Sequence, residues 1–105
     1  IAERPTASGG GETGLAAVYS DKLHGHKTAS GQRYDRNKLT AAHKTLPFGS
    51  KVKITNNKNH KSVVVRINDR GPVQQNRVLD ISPRAAKALG ISKKGMAEVT
   101  LEPLN

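Results

Sequence analysis

The stretch "SVVVRINDRGPVQQNRVLDIS", residues 62–82, decides the fold class. Val63, Val64, Val65 and Ile67 form an apolar, β-branched run that ends at Asn68, Asp69 and Arg70, before the breaker pair Gly71-Pro72. A second short run, "NRVLDIS" over 76–82, follows at once, so two brief strands are expected rather than a helix. Asp69 stands where the first strand runs out. As a turn former before Gly-Pro it needs no function. As a carboxylate held at the rim of a rigid barrel, it would be a reagent.

Working outward, Val52 and Ile54 alternate with Lys51, Lys53 and Thr55, and "NNKN" over 56–59 supplies a turn, so 51–68 reads as a β-hairpin. Ser82 is suited to cap a short helix with Pro83 at its first position, "RAAKAL" as its body and Gly90 as its stop. "AEVTLEPL" at 97–104 alternates as a strand, and "LAAVYS" at 15–20 is another. Between them, 21–37 is a polar, turn-rich loop, and 38–50 starts as a strand that breaks at Pro47 and Gly49. Residues 1–14 are small, polar and Gly-rich and are expected to be a flexible linker, with one domain over 15–105. Five or six short strands and one small helix suggest a sheet closed on itself.

The chain has 105 residues, which limits it to one domain with a modest core. Tyr19, Tyr34 and Phe48 are its whole aromatic set, so the core must come from Val, Ile, Leu and Ala. It has no cysteine, which removes disulfides and thiolate metal sites. No apolar run is long enough to span a membrane. Ile1 in place of a methionine is expected of a processed chain. The formal charge of +10 points to an anionic partner or to solubility alone. Nucleic acid fits poorly, because the cations are scattered and three aromatics cannot build a stacking platform.

Eight acids are few enough to sort singly. Glu3 and Glu12 fall in the expected linker, where no geometry can be held. Glu98 and Glu102 lie on the polar side of an alternating strand, and Asp21 and Asp35 sit in basic loops. Asp69 and Asp80 remain. Asp69 shares side-chain parity with Val63, Val65 and Ile67, which would turn it toward the buried side. Apolar surroundings would raise its pKa and Arg66, Arg70 or Arg77 would lower it, a balance suited to a general acid. Asp80, between apolar neighbours, also fits a buried structural acceptor. Among the histidines, His24 and His26 have metal-like spacing with only Asp21 to help them. His60 falls in the hairpin turn, and His43 has the parity of Leu39 and Ala41.

Four blocks in order, "TASGQRYD", "LTAAHKTLPFGSKVKITN", "SVVVRINDRGP" and "NRVLDISPRAAKALG", resemble the rare lipoprotein A family of septal lytic transglycosylases. The resemblance covers about residues 15 to 103 and implies a mostly-β fold, a six-stranded double-psi β-barrel with one or two short helices. It implies cleavage between N-acetylmuramic acid and N-acetylglucosamine in peptidoglycan glycan strands lacking stem peptides, leaving 1,6-anhydro ends. On this resemblance Asp69 and His43 match the family's functional Asp and His, and Asp80 an acid shared with expansins, which bind walls without cutting. Gln32, Ser30, Tyr34, Thr40, Asn68, Arg70 and Arg77 are expected to line the sugar site. Gln32 departs from the family, which usually has Glu in "TASGE".

A glycosidase that uses water needs two carboxylates, whereas here the sugar's own 6-hydroxyl would attack, so one group could give and then take the proton. No cofactor or metal is expected, nor nucleic acid. The protein is expected to be a monomeric, periplasmic lipoprotein enriched at the septum, touching membrane only through an anchor outside this chain.

Overall fold

In a computed structural model, residues 12–72, 74–92 and 95–104 are described. Six strands close into a barrel: β1 (Glu12–Val18), β2 (Thr40–Ala42), β3 (Lys51–Asn56), β4 (Ser62–Asp69), β5 (Arg77–Ile81) and β6 (Met96–Leu104). Their order around the ring is β1-β5-β2-β4-β3-β6. A 3-10 turn over Asp21–Leu23 and helix α1 (Pro83–Leu89) complete the ordered elements. The expected β class and hairpin are both present. β1, however, starts inside the segment expected as linker, because Glu12, Thr13 and Gly14 pair with Leu101, Thr100 and Val99 of β6.

Alternation builds the core. Val52, Ile54, Val65, Ile67, Leu79 and Ile81 are each no more than 1% exposed, and they meet inside the ring. Helix α1 adds Ala85, Ala86 and Leu89 to that cluster. Its ends behave as the sequence implies. The Ser82 hydroxyl accepts from Ala85 N at 3.2 Å, and Gly90 takes a left-handed φ of 75°. Leu89 O accepts from the side-chain amides of both Asn56 and Asn59, at 2.9 and 3.0 Å, so a carbonyl in the last turn is satisfied by the hairpin.

Two parallel pairs, β1 with β5 and β2 with β4, interrupt an otherwise antiparallel ring. Each parallel pair slips register once. Leu15 pairs with Arg77 and Ala16 with Leu79, skipping Val78; Ala41 pairs with Ile67 and Ala42 with Asp69, skipping Asn68. An extra residue in one strand reverses the face on which the following residues stand.

The first slip constrains Gly14. A Cβ there would stand 2.5 Å from Val78 Cγ1. Gly14→Ala should therefore lower the melting temperature by an overpacking cost of about 1–3 kcal/mol. Adding Val78→Ala should recover much of that loss, and thermal melts of the single and double variants measure it. A double variant no better than Gly14→Ala would mean that the strain lies elsewhere.

Candidate active site

The second slip places Asp69. Without it Asp69 would share the inner face of Ile67; with it Asp69 stands level with Ala42, on the face opposite Ala41 and Ile67. The expectation of an inward Asp69 is therefore corrected by the bulge at Asn68. Ala42 pairs on its other side with Asp80, so the two acids flank one alanine on neighbouring strands. Strand spacing sets their Cα atoms about 10 Å apart. Ala42 is 1% exposed and offers no bulk between them.

Both oxygens of Asp69 are held. Oδ1 accepts from Ala29 N at 2.9 Å and from Arg70 N at 2.8 Å, while Oδ2 accepts from the Tyr19 hydroxyl. Asp80 differs. Its Oδ1 is solvent-inaccessible with no hydrogen-bond partner, and Arg77 Nη1 lies 3.8 Å away. Burial pushes the Asp80 pKa up, Arg77 pulls it back and the charge of Asp69 adds to the rise. The acid raised by desolvation is thus Asp80. Tyr19, whose phenol is also pushed up by burial and by Asp69, was absent from the sequence-derived set. Its signal was its position, since it is one of three aromatics and ends a strand.

His43 does not present a free ring. Its Nδ1 accepts from Thr45 N and Leu46 N, both at 3.1 Å, which leaves Nε2 to donate to Glu12 Oε1 at 3.0 Å. The imidazole is only 7% exposed and does not line the cleft described below. It acts on the site through the backbone: His43 N donates to Asp69 O at 3.2 Å, and His43 O accepts from Arg70 Nη1 at 3.2 Å. Glu12, expected to be too loose to hold any geometry, is fixed by this bond. Arg70 also reaches Leu46 O at 2.7 Å and lies 4.1 Å over the Phe48 ring, so its guanidinium braces the 43–48 loop.

A cleft of about 580 Å³ opens at Asn68, the residue before Asp69, and its walls include Gln32, Arg33, Lys38, Thr40 and Arg66, whereas Asp69 and Asp80 are not among the residues that line it. Of the residues expected at the sugar site, Gln32, Thr40 and Asn68 line this cleft. Among the described residues that line it, Asp35 is the one acid, against three cations. Ser30 organises the loop, with its Oγ 2.9 Å from Thr28 Oγ1 and its N–H donating to Asn68 O at 3.3 Å. Tyr34 does not line it. At 2% exposure it cannot touch a sugar, and its ring stacks on Tyr19 at 4.5 Å, backing the site from behind. Arg77 faces Asp80 rather than this cleft. His24 Nδ1 accepts from Arg36 N at 3.3 Å and lies 4.0 Å from Asp35. Among the described residues no three His, Asp or Glu side chains gather to hold a metal.

Residues 11–101 match the protein family described as lytic transglycolase. The chain is 53% identical over 93 residues to the endolytic peptidoglycan transglycosylase RlpA of Neisseria meningitidis serogroup B, covering 89% of this chain and 39% of that protein. It is 54% identical over 89 residues to the probable endolytic peptidoglycan transglycosylase RlpA of Synechocystis, covering 85% and 28%. It thus spans two fifths or less of these relatives. Among solved structures, Streptomyces papain inhibitor superposes with a TM-score of 0.70 at 20% identity, covering 92% of this chain and 96% of that one. The apo expansin of Clavibacter michiganensis also gives 0.70, at 19% identity, over 89% and 50%. At such identities these two likenesses concern the fold alone.

The raised pKa of Asp80 carries a stability consequence with a definite sign. Folding favours its neutral form, so its contribution is fully present below the ordinary aspartate value of 3.8 and is lost as pH rises through the folded value. At neutral pH the ionised, half-buried carboxylate is a cost. Asp80→Asn should therefore melt at or above the parent at pH 7, with the gap closing as pH falls toward that value. Thermal melts across pH check this. A variant clearly less stable at pH 7 would mean that Arg77 outweighs burial.

Proposed function

The chain belongs to the lytic transglycolase family, with the double-psi β-barrel fold, and from that premise we propose that it cleaves peptidoglycan glycan strands without water. The bond broken is that between N-acetylmuramic acid and N-acetylglucosamine, and the product end is a 1,6-anhydro sugar. The observation that carries this reading is the pair Asp69 and Asp80, flanking Ala42, with Asp69 next in the chain to Asn68, which lines a cleft also walled by Arg33, Lys38 and Arg66. Strands whose stem peptides have been removed carry a free lactyl carboxylate on each muramic acid, which suits those cations.

The chemistry balances on one carboxyl group, and Asp69, entering as the acid, is assigned the transfers. Its proton passes to the glycosidic oxygen as the bond from that oxygen to C1 breaks. The 6-hydroxyl oxygen then bonds to C1 and its proton returns to Asp69. No water is consumed. In between, the negative charge left on the Asp69 carboxylate favours positive charge developing on the ring. His43 positions the Asp69–Arg70 backbone and does not touch sugar.

Gln32 favours a second reading, a glycan-binding module without cleavage, since the cleft holds an amide where the sequence resemblance implies a Glu. Incubation with stem-less glycan strands, followed by mass spectrometry for anhydro ends, separates the two. Asp69→Asn should lower turnover by roughly 10²–10⁴-fold with glycan binding and melting temperature nearly unchanged. Binding without anhydro product by the parent chain would favour the module. Gln32→Glu should raise the cleavage rate and move the basic limb of the pH–rate profile upward, because a further negative charge favours protonation of Asp69. An equal rate with an unshifted profile would leave Gln32 a positioning residue.

A further inference from the structure

The geometry points to a further residue in this reaction: we propose that Tyr19 is the positioning residue that sets the orientation of the Asp69 carboxylate, through its hydroxyl and the ring stack that carries it. The proposal rests on the cleavage reading above and adds to it a group outside the sequence-derived set.

Three observations converge on Tyr19. Its backbone is fixed just past the end of β1, where Tyr19 N donates to Ile81 O at 2.6 Å. Its ring is fixed by the stack on Tyr34, 4.5 Å between centroids and 22° between planes. Tyr34 is itself anchored, donating from N to His26 O at 2.7 Å and accepting at O from Gly25 N at 2.8 Å. The hydroxyl therefore arrives at Asp69 Oδ2 from a support with little freedom.

The consequence lies in what remains of the carboxylate. Ala29 N and Arg70 N occupy Oδ1. With Tyr19 on Oδ2 the group cannot rotate about its Cβ–Cγ bond without losing a partner. One lone pair on Oδ2 is left for a reacting proton, and its direction is set by Tyr19. Burial first, and then Asp69, Asp80 and Tyr34, disfavour the tyrosinate, so the phenol keeps its proton and serves as a fixed donor rather than a base. The guanidinium of Arg70 braces the 43–48 loop and that of Arg77 faces Asp80.

Tyr19→Phe removes the hydroxyl and keeps the ring stack, which separates positioning from packing. In the chain as it stands, kcat on stem-less glycan strands should fall about 10- to 100-fold with KM little changed. The pH–rate profile should move to higher pH, since a hydrogen bond that favours the ionised Asp69 is gone. Carboxyl-carbon NMR titration should show the Asp69 carboxyl taking up its proton at higher pH than in the parent, with the melting temperature close to the parent. This last readout needs no activity, so it still decides the proposal if the parent chain yields no anhydro product and the cleavage reading fails. An unmoved carboxyl titration overturns the proposal. So does a kcat that falls only in step with a loss of melting temperature.

Discussion

One residue too many in each of two strands governs this molecule. β5 carries Val78 beyond what β1 can pair, and β4 carries Asn68 beyond what β2 can pair. A strand has only two faces, so each extra residue exchanges them. In β5 the exchange brings Leu79 to the core beside Ala16, with Ile81 two residues on, and closes the barrel wall. In β4 it does the reverse: Ile67 stays inside while Asp69 leaves the core. The same device that completes the core on one side builds the chemistry on the other. The short side chains of Ala17 and Ala42, which pair with Asp80, keep the outer face low enough for two acids and a tyrosine to meet.

Around that face, the supports are mostly backbone. Ala29 N, Arg70 N and His43 N fix Asp69 from three segments, and among the described residues Tyr19 alone contributes a side chain. His43 and Arg70 stand one step further out, holding the 43–48 loop that holds Asp69. Such an arrangement tolerates little variation in where the chain runs, yet it asks few specific residue types of the loop.

The parts legible in the sequence were those settled by near neighbours. The hairpin over 51–68 follows from alternation and an Asn-rich turn, and α1 from Ser82, Pro83 and Gly90, each acting within one helical turn. What alternation could not reach was set by distant partners. Asp69 was assigned to the wrong face, because a bulge depends on the pairing strand and β2 contributes only Thr40–Ala42. Glu12 was dismissed with its Gly-rich surroundings, although β6 pairs with it and His43, 31 residues away, binds it. His43 itself was identified by resemblance, but nothing local revealed that both ring nitrogens are already committed. Tyr34 is expected at the sugar site, and its burial against Tyr19 depends on the path of the whole 21–37 loop.

The placement of charge has a consequence in terms of ionic strength. Arg33, Lys38 and Arg66 stand in the open cleft, where at physiological salt a charge is felt over only about 8 Å. They can attract a polyanionic strand and lose that pull as salt rises. Arg70 is withdrawn from this field, spent on two carbonyls and an aromatic ring, and the Asp69 carboxylate is held by short-range hydrogen bonds from Tyr19, Ala29 N and Arg70 N. Capture and chemistry are therefore exposed to the medium to different degrees. The surrounding electrolyte can tune how often a polyanion arrives while leaving the geometry that would act on it unchanged.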